Sequence, residues 1–327
     1  MAVYNRIYTK QKWDTVNKYN KNLMEDYLLE MMSQKKKQGT INQYKNDLRI
    51  LFIFILEELD NKNISKLKKR DFRNYSLWLQ EKNMSAARVN RMLSALRSML
   101  AYAEDDDDYG DDIEINYAAK IKGLQKETVR DIHFLSMEQV EIIYNHLIEK
   151  EKYQQALLCA LMIDSAGRRQ ECYQVLKDSI TEDSNFTNIV IGKRGKKFKL
   201  LYNDMTKKAY KLYMEQRGED DIDSLWITKE GNEVKQASYE VLYSWVIGWR
   251  NILKDKTGEY IEFNPHSFRH SALQLLNDGE HYIAKKLNKK FTLQELKVYA
   301  HHSSSEVTES YLLNRDEDLL LEAFDMK

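Results

Sequence analysis

The sequence has few of the residues that interrupt helices or cross-link a chain: one proline, 11 glycines and two cysteines in 327 residues. Proline and glycine both disfavour helix interiors, so their scarcity favours a mainly helical protein with few irregular turns. Cys159 and Cys172 are fewer than the cysteines of a disulfide-dependent secreted scaffold, so we expect both to be reduced. We also expect no zinc site.

Long apolar runs are missing as well. No segment approaches the roughly 18 consecutive apolar residues of a membrane-spanning helix, and residues 1–14 lack the apolar stretch of a signal peptide. We therefore expect a cytoplasmic protein with no membrane partner. The hydrophobic content of 43% suffices for sizeable cores, and a length of 327 residues makes two domains the default expectation.

Basic and acidic residues balance, at 51 each. Because affinity for DNA comes largely from neutralised phosphates, a DNA-binding function would depend on how these charges are distributed along the chain. Residues 66–73 interleave cations with apolar positions, whereas residues 104–112 are all acidic except Tyr109 and Gly110. Like charges repel one another and disfavour packing, so an acidic linker is predicted over residues 104–132.

Apolar residues recur at helical spacing in four segments before this linker. The predicted helices run from Lys18 to about Gln34, from Thr40 as the N-cap to Leu59, from near Ser65, and from Ser85 onward. They form a helical bundle over residues 18–103, which follows an N-terminal extension at residues 1–17.

A second domain is predicted over residues 133–315. Ser136 is the expected cap of its first helix, and residues 188–202 alternate around a basic turn with two glycines, which predicts a β-hairpin. The predicted fold class is therefore mainly α with a small β-sheet, divided between two domains.

Within the second domain, cationic side chains precede a tyrosine in the order Arg168, Lys193, His266, Arg269, His302 and Tyr311. A guanidinium offers N–H donors in a planar fork, which suits the non-bridging oxygens of a phosphodiester. A tyrosine hydroxyl is a weak nucleophile that needs a neighbouring base and a cationic pocket. The ordered set therefore indicates phosphodiester chemistry at a tyrosine.

Four motifs around these residues resemble those of the tyrosine recombinases, or phage integrases. In chain order they are Arg168-x-x-Glu171, Gly192-Lys193, His266-x-x-Arg269 and the segment from His302 to Tyr311. Each motif alone recurs by chance in long sequences, whereas the joint, ordered match is specific. The resemblance implies a helical core-binding domain followed by a mixed α/β catalytic-type domain.

The resemblance also implies a reaction. Tyr311 would attack the scissile phosphate, form a 3′-phosphotyrosyl bond and release a 5′-hydroxyl. Arg168 and Arg269 would stabilise the charge on the non-bridging oxygens, and Lys193 would protonate the leaving oxygen.

The remaining motif residues have supporting roles in this scheme. His266 would assist proton transfer at the tyrosine, and His302 would hydrogen-bond the phosphate. Glu171 would orient an arginine or a histidine from behind. The resemblance implies neither a metal ion nor any other cofactor.

Double-stranded DNA is the partner that the resemblance implies. In the family the core-binding helices lie against DNA, so polar side chains off the apolar stripes, and those beside the hairpin lysine, become candidate contacts. They are Lys68, Lys69, Arg70, Arg88, Asn90, Arg91, Arg194 and Lys196. The alternative for each is a solvated, charged surface.

Two segments have open interpretations. The C-terminal tail, residues 316–327, concentrates apolar residues that need a groove. Family members often dock this tail into a neighbouring protomer, which would give a homo-oligomer on DNA, and the alternative is docking within the same chain. The acidic linker would weaken non-specific DNA binding, bind a basic regulatory protein or peptide, or simply be solvated.

Three departures from the family pattern accompany the motifs. Ala166 and His301 stand where the family commonly has glycine. The stretch from Arg269 to His302 is about ten residues longer than expected, with residues 284–290 as the inserted loop. Each departure leaves the catalytic side chains present but could displace one.

Two functions agree with these observations. One is a site-specific recombinase, such as a phage or mobile-element integrase. The other is a DNA-binding lysogeny repressor that kept the recombinase fold without its reaction. Tyr311 favours the first, because a repressor has no chemical need for it. The zero net charge, the acidic linker and the substitutions beside the motifs favour the second, so the sequence leaves enzymatic activity open.

Overall fold

A computed structural model of the chain describes residues 7–125, 133–231 and 233–301. The chain divides into two compact units, residues 1–131 and residues 132–327. Both units are built largely from helices, and the strands in the described ranges pair into two-stranded antiparallel sheets. The predicted fold class is thus confirmed. None of the helices in these ranges is long and apolar enough to cross a membrane.

The first unit is a bundle of helices. Its helices are α1 (Lys10–Thr15), α2 (Lys18–Ser33), α3 (Gln38–Glu58), α4 (Lys69–Glu81) and α5 (Ala86–Asp105). Ser85 caps α5 as predicted, because its hydroxyl accepts a hydrogen bond from the backbone N–H of Arg88 at 3.4 Å.

One predicted cap and one predicted helix start in this unit are wrong. The helix expected to begin after Thr40 begins at Gln38, so Thr40 lies inside its first turn and is not the cap. The helix expected near Ser65 begins at Lys69, after a short 3-10 turn over Ile64–Lys66. At the N-terminus of α4, the carboxylate of Asp71 accepts a hydrogen bond from the backbone N–H of Lys68 at 2.9 Å, which satisfies one of the free N–H groups there.

Helix α3 lies at the centre of this unit. Every residue from 50 to 55 is buried, including Ile50, Ile53 and Phe54, so this part of the helix is enclosed on every side. The ring of Phe54 lies 5.2 Å from that of Tyr75 and 5.4 Å from that of Trp78, both on α4. A helix that is apolar all round belongs in the middle of a core, which explains the excess of buried residues.

The acidic segment packs onto the first unit. Tyr109 is buried, donates a hydrogen bond to the carboxylate of Asp26 at 2.5 Å, and meets the ring of Tyr19 edge-on at 5.7 Å. Farther along, the same core contains Ile113, Ala118 and Ile121. The expectation that this run disfavours packing is therefore wrong, because Tyr109 and the apolar side chains that follow the run gain from burial while most of its carboxylates stay exposed.

The second unit combines helices with two hairpins. Its elements are α6 (Met137–Glu149), α7 (Tyr153–Ser165), α8 (Arg169–Tyr173), β1 (Phe186–Ile191), β2 (Lys197–Leu201), α9 (Asp204–Arg217), β3 (Ile227–Glu230), β4 (Glu233–Gln236), α10 (Tyr239–Thr257), α11 (Pro265–Asp278), α12 (Tyr282–Leu287) and α13 (Leu293–Tyr299). Ser136 caps α6 as predicted. The predicted hairpin is also confirmed, with Ile191 opposite Lys197 at its turn.

Helix α7 holds this unit together. Every residue from Ala156 to Ser165 is buried, and α6, α9 and α11 all pack around the helix. At the edge of the small sheet, the amide side chain of Gln174 accepts the N–H of Ile191 at 2.9 Å and donates to its carbonyl at 3.0 Å. The outer edge of β1 is thereby closed by a side chain instead of a third strand.

Candidate active site

Arg168 follows a sharp turn between α7 and α8. Ala166 has φ of 46°, in the left-handed region that favours glycine. At Gly167 a Cβ atom would lie 2.8 Å from Oγ of Ser165 and 3.0 Å from Sγ of Cys172, so only glycine fits without a shift. Close packing on both sides therefore fixes the backbone from which the Arg168 side chain projects.

Glu171 is the carboxylate around which the described part of the site is organised. It is buried, at 2% exposure, and accepts hydrogen bonds from the backbone N–H of Arg168 at 2.8 Å and from its Nη1 at 2.9 Å. Nη1 of Arg269 lies 4.0 Å from the same carboxylate. Charge-assisted bonds in a buried setting hold a guanidinium in one orientation. This geometry suits the orienting role expected of Glu171.

The β1–β2 hairpin approaches the same carboxylate through Gly192. A Cβ atom on Gly192 would lie 2.6 Å from the ring of Phe198 and 3.2 Å from Oε1 of Glu171, so the hairpin can come this close only with glycine there. Lys193 and Arg194 follow in the tip, where both are exposed and Arg194 has φ of 61°. Lys193 therefore directly follows the backbone that lies beside Glu171.

Arg269 lies on α11, which the side chain of Asn264 caps by accepting the N–H of His266 at 2.8 Å. The residue is only 1% exposed. Its Nη1 donates to the carbonyl of Ala166 at 2.5 Å and its Nη2 to the carbonyl of Ala300 at 2.6 Å. Arg269 therefore ties the Arg168 turn to the segment that follows α13.

His266 lies one turn before Arg269, at the edge of the site. Its ring is 4.9 Å from that of His270. Although His266 is exposed as a whole, the protein packed around its ring and, to a smaller extent, the charges of His270, Arg269 and Arg168 together lower its pKa to about 4. The imidazole is neutral at pH 7 and can accept a proton.

His301 is a site residue that the sequence indicated only as a departure from the family pattern. Its φ is 55°, and its ring stacks on that of Phe198 at 4.0 Å between centroids. Its carbonyl accepts a hydrogen bond from Nζ of Lys196 at 3.1 Å. Burial and the charge of Lys196 lower the pKa of His301. The residue therefore joins the hairpin to the segment just before His302.

Asp164 was missed at the sequence level. It is fully buried at the end of α7, where its carboxylate accepts the Oγ1 hydroxyl of Thr206 at 2.7 Å and the hydroxyl of Tyr282 at 2.5 Å. Its own carbonyl accepts the hydroxyl of Tyr299. Burial raises the pKa of Asp164. A lone acid after the apolar run 157–163 was the available signal.

The same network corrects the expectation of an inserted loop. Most of residues 284–290 belong to α12, and Tyr282 at its start binds Asp164. The ring of His281, which caps α12, lies 3.3 Å from the carbonyl of Ile163. The segment expected to be a loop therefore lies mostly in a helix, and His281 and Tyr282 at the start of this helix bind the buried end of α7.

The candidate DNA contacts of the first unit divide into two groups. Arg91 forms a bidentate pair with Asp47 at 2.9 and 3.0 Å, and the amide of Asn90 exchanges two hydrogen bonds with the backbone of Leu124. Both side chains thus have intramolecular roles. The exposed group comprises Lys68, Lys69 and Arg70, while Arg88 is half-buried.

The remaining candidates of the second unit also divide. Lys196 donates to the carbonyl of His301, as described, whereas Arg194 is exposed at the hairpin tip. His302, Tyr311 and the tail at 316–327 lie outside the described residues. The structure therefore brings together Arg168, Glu171, His266 and Arg269, and it places Gly192, the residue before Lys193, beside Glu171.

Two family models match this chain. The phage integrase N-terminal SAM-like domain matches residues 15–106, and the phage integrase family model matches residues 133–317. The second match alone spans more than half of the chain.

Similar proteins of known description extend over most of the chain. The SPbeta prophage-derived recombinase-like protein YomM of Bacillus subtilis is 26% identical over 94% of this chain and 91% of its own length. Tyrosine recombinase XerC of Staphylococcus saprophyticus is 23% identical over 79% of this chain and 84% of its own length.

Solved structures share the fold at low identity. A lambda integrase dimer bound to a COC′ core site has a TM-score of 0.66 at 15% identity, over 89% of this chain and 76% of the integrase chain. The Tn1549 transposon integrase in complex with transposon right end DNA also has a TM-score of 0.66 at 15% identity, over 93% and 98% of the two chains. The two-unit architecture is therefore that of integrases.

Proposed function

Because the chain belongs to the phage integrase family of tyrosine recombinases, we propose that it is a site-specific recombinase that cleaves DNA through a 3′-phosphotyrosyl bond to Tyr311. The observation that carries this proposal is the convergence on Glu171. Arg168 binds its carboxylate, Arg269 lies 4.0 Å away, and the lysine hairpin passes close to it at Gly192. Three of the four motifs thus meet at one buried acid.

Each group has a task in this reaction. Tyr311 attacks the phosphorus atom, the bond to the 5′ oxygen breaks, and the phosphate remains attached to the tyrosine. Arg168, held by Glu171, stabilises the charge that builds on a non-bridging oxygen. Lys193 at the exposed tip gives a proton to the departing 5′ oxygen, and neutral His266 accepts one from the tyrosine hydroxyl.

Double-stranded DNA is the proposed partner, with phosphate contacts from Lys68, Lys69, Arg70 and Arg194, all of which are exposed. We also propose that the tail at 316–327 docks into a second copy on DNA. Deletion of residues 316–327 should then abolish cooperative binding to a two-site DNA while single-site affinity stays unchanged. Equal cooperativity with and without the tail would contradict docking between copies.

One observation favours a second candidate function, a DNA-binding regulator without recombinase activity. Arg269 is 1% exposed and directs two N–H groups at the carbonyls of Ala166 and Ala300. A phosphate oxygen reaches this guanidinium only if the residues that cover it move. A displacement of a catalytic group by about 1 Å can remove much of the cleavage rate and leave DNA binding intact.

A suicide substrate separates the two functions. DNA sites that the protein selects from a random library would be nicked near the centre, incubated with the protein and run on a denaturing gel. A recombinase forms an adduct that is lost in Tyr311→Phe and kept in Tyr260→Phe, which alters an exposed tyrosine of the same unit. Tight, sequence-specific binding without any adduct would contradict the recombinase and favour the regulator.

A further inference from the structure

A cleft of about 580 Å³ opens in the first unit between α2, α3 and α5. Tyrosine rings from all three helices line it. The ring of Tyr27 lies 6.4 Å from that of Tyr44 and 5.7 Å from that of Tyr102. Aromatic faces carry partial negative charge, and several around one cleft create a favourable place for a cation.

The charges that line the cleft have the same sign as these ring faces. Glu30, Asp105 and Asp106 line it, and Lys36 is the one basic residue among the described residues that do so. Burial, a hydrogen bond with Asp106 and the nearby carboxylates together raise the pKa of Tyr102. The exposed carboxylates of Asp107 and Asp108 follow directly in the chain and extend the negative field.

The second unit contains a cation site made from the same residue types. The guanidinium carbon of Arg169 lies 3.7 Å from the ring centre of Tyr239 and 5.0 Å from that of Tyr243. The carboxylate of Glu240 accepts from its Nη1 at 3.3 Å. Tyrosine faces beside a carboxylate thus hold an arginine within this same chain.

We propose that the cleft binds an arginine-bearing, basic segment of a partner protein. The tyrosine rings take the planar guanidinium, and the carboxylates of Glu30, Asp105 and Asp106 pair with it and with neighbouring cations. DNA is excluded from the cleft because these carboxylates repel its phosphates. Asp105 and Asp106 of the acidic segment would thus take part in binding a partner. The proposal does not depend on whether Tyr311 is a nucleophile.

Direct binding of a labelled peptide to the full chain tests the proposal. The probe is the peptide Gly-Arg-Gly-Arg-Gly, and its matched control carries citrulline, a neutral analogue of the same shape, in place of arginine. Fluorescence anisotropy would be measured at physiological salt, which screens diffuse attraction to the acidic segment. We expect the citrulline peptide to bind at least about tenfold more weakly, because it lacks the charge that cation–π contacts and carboxylates recognise.

Variants of the protein locate the site. Glu30→Gln keeps the shape of the cleft and should weaken the arginine peptide several-fold, as should Tyr44→Leu. Asp107→Asn removes a charge of the acidic segment that does not line the cleft, so it should leave affinity almost unchanged. Equal loss in Asp107→Asn and Glu30→Gln would overturn the proposal, because it would mean attraction by the general field.

Two further results would also overturn it. Equal affinity for the arginine and citrulline peptides would show that no cation is recognised. Self-association of the full chain that disappears in Glu30→Gln, without peptide binding, would assign the cleft to a second copy. Thermal unfolding of each variant tests whether it is folded. If Tyr44→Leu is not folded, the loss of affinity in the isosteric Glu30→Gln still tests the proposal.

Discussion

Each unit encloses part of one helix on all sides, residues 50–55 of α3 in the first and residues 156–165 of α7 in the second, and each of these helices buries an aspartate. The two aspartates are held differently. Asp47 meets a positive charge, in a bidentate pair with Arg91. Asp164 accepts hydrogen bonds from neutral donors, among them the hydroxyls of Thr206 and Tyr282.

The difference follows from what each aspartate serves. The Asp47–Arg91 pair joins α3 to α5 and so links two helices of a bundle. Asp164 lies at the end of α7, directly before the turn that carries Arg168. Neutral donors there bind the acid without adding another positive charge to the site, which would repel its arginines. The comparison shows that a buried aspartate can either link two helices of a bundle or support the backbone of a cationic site, depending on the donors around it.

The largest expected effect comes from breaking the ion pair of the first unit. Arg91→Met leaves the Asp47 carboxylate, which is 1% exposed, without its counter-charge, and should lower the free energy of unfolding by about 3 kcal/mol. Urea denaturation followed by circular dichroism measures this loss. Arg73→Met, at an exposed arginine of α4, is the control and should change little. A double variant with Asp47→Leu should recover part of the loss, and no recovery would contradict this account.

Acid should destabilise the second unit more than the first, because all seven histidines lie at residue 133 or beyond. Burial lowers the pKa of His281 to about 4 in the folded chain, from 6.5. As the pH falls below 6.5 the unfolded chain binds a proton first, so stability present above pH 6.5 is lost down to about pH 4. The loss from His281 is at most about 3 kcal/mol.

Hydrogen exchange resolved by peptide measures this loss separately in α3 and α7. Protection in α7 should fall between pH 7 and pH 5 more than protection in α3. His281→Asn, which keeps an acceptor for the N–H of Ile283, should reduce the difference. A fall of equal size in both helices of the wild-type chain would contradict the assignment to histidine.

A smaller effect is expected at the neutral network. Asp164→Asn places an amide donor against the hydroxyl and N–H of Thr206 and should cost about 2 kcal/mol at pH 7. Burial raises the pKa of Asp164, so the stability that it contributes is greatest at low pH and is lost as the pH rises through its folded pKa. The deficit of Asp164→Asn in urea denaturation should therefore be larger at pH 4 than at pH 8. A deficit that grows with pH would contradict the raised pKa of Asp164.

The smallest effect compares one exposed helical glycine from each unit. A Cβ atom would meet nothing within 4 Å at Gly39 in α3 or at Gly248 in α10. Gly248 lies in the helix interior, so Gly248→Ala should raise the free energy of unfolding by up to about 1 kcal/mol. Gly39→Ala, in the first turn of α3, should give less. Thermal unfolding of both variants measures the difference, and an equal gain would mean that position in the helix has no influence.

The sequence predicted those elements that short-range patterns determine. Ser85 and Ser136 mark helix starts because a hydroxyl three residues before an orphan N–H can satisfy it locally. Thr40 has the same chemistry but lies inside α3, because the chain had already turned helical at Gln38. Burial that depends on distant neighbours was likewise not predictable, as for Tyr109 against Tyr19.

The candidate site shows the same limit. The residues of its motifs could be named from spacing, and their meeting at Glu171 agrees with that order. Asp164 and His301 could not be assigned, because their roles come from partners more than 100 residues away, Tyr282 and Lys196 respectively. No sequence pattern links such pairs without homologous sequences.

The edge of β1 has a consequence for the behaviour of the protein at high concentration. Gln174 occupies both hydrogen-bonding groups of Ile191 that another extended chain would need. Ile189 and Ile191 are exposed on this strand, and without the Gln174 side chain they would form an apolar edge to which another strand could pair. We therefore expect the amide of Gln174 to keep other extended chains from pairing with this edge, and Gln174→Ala should increase aggregation at high concentration, as light scattering would measure.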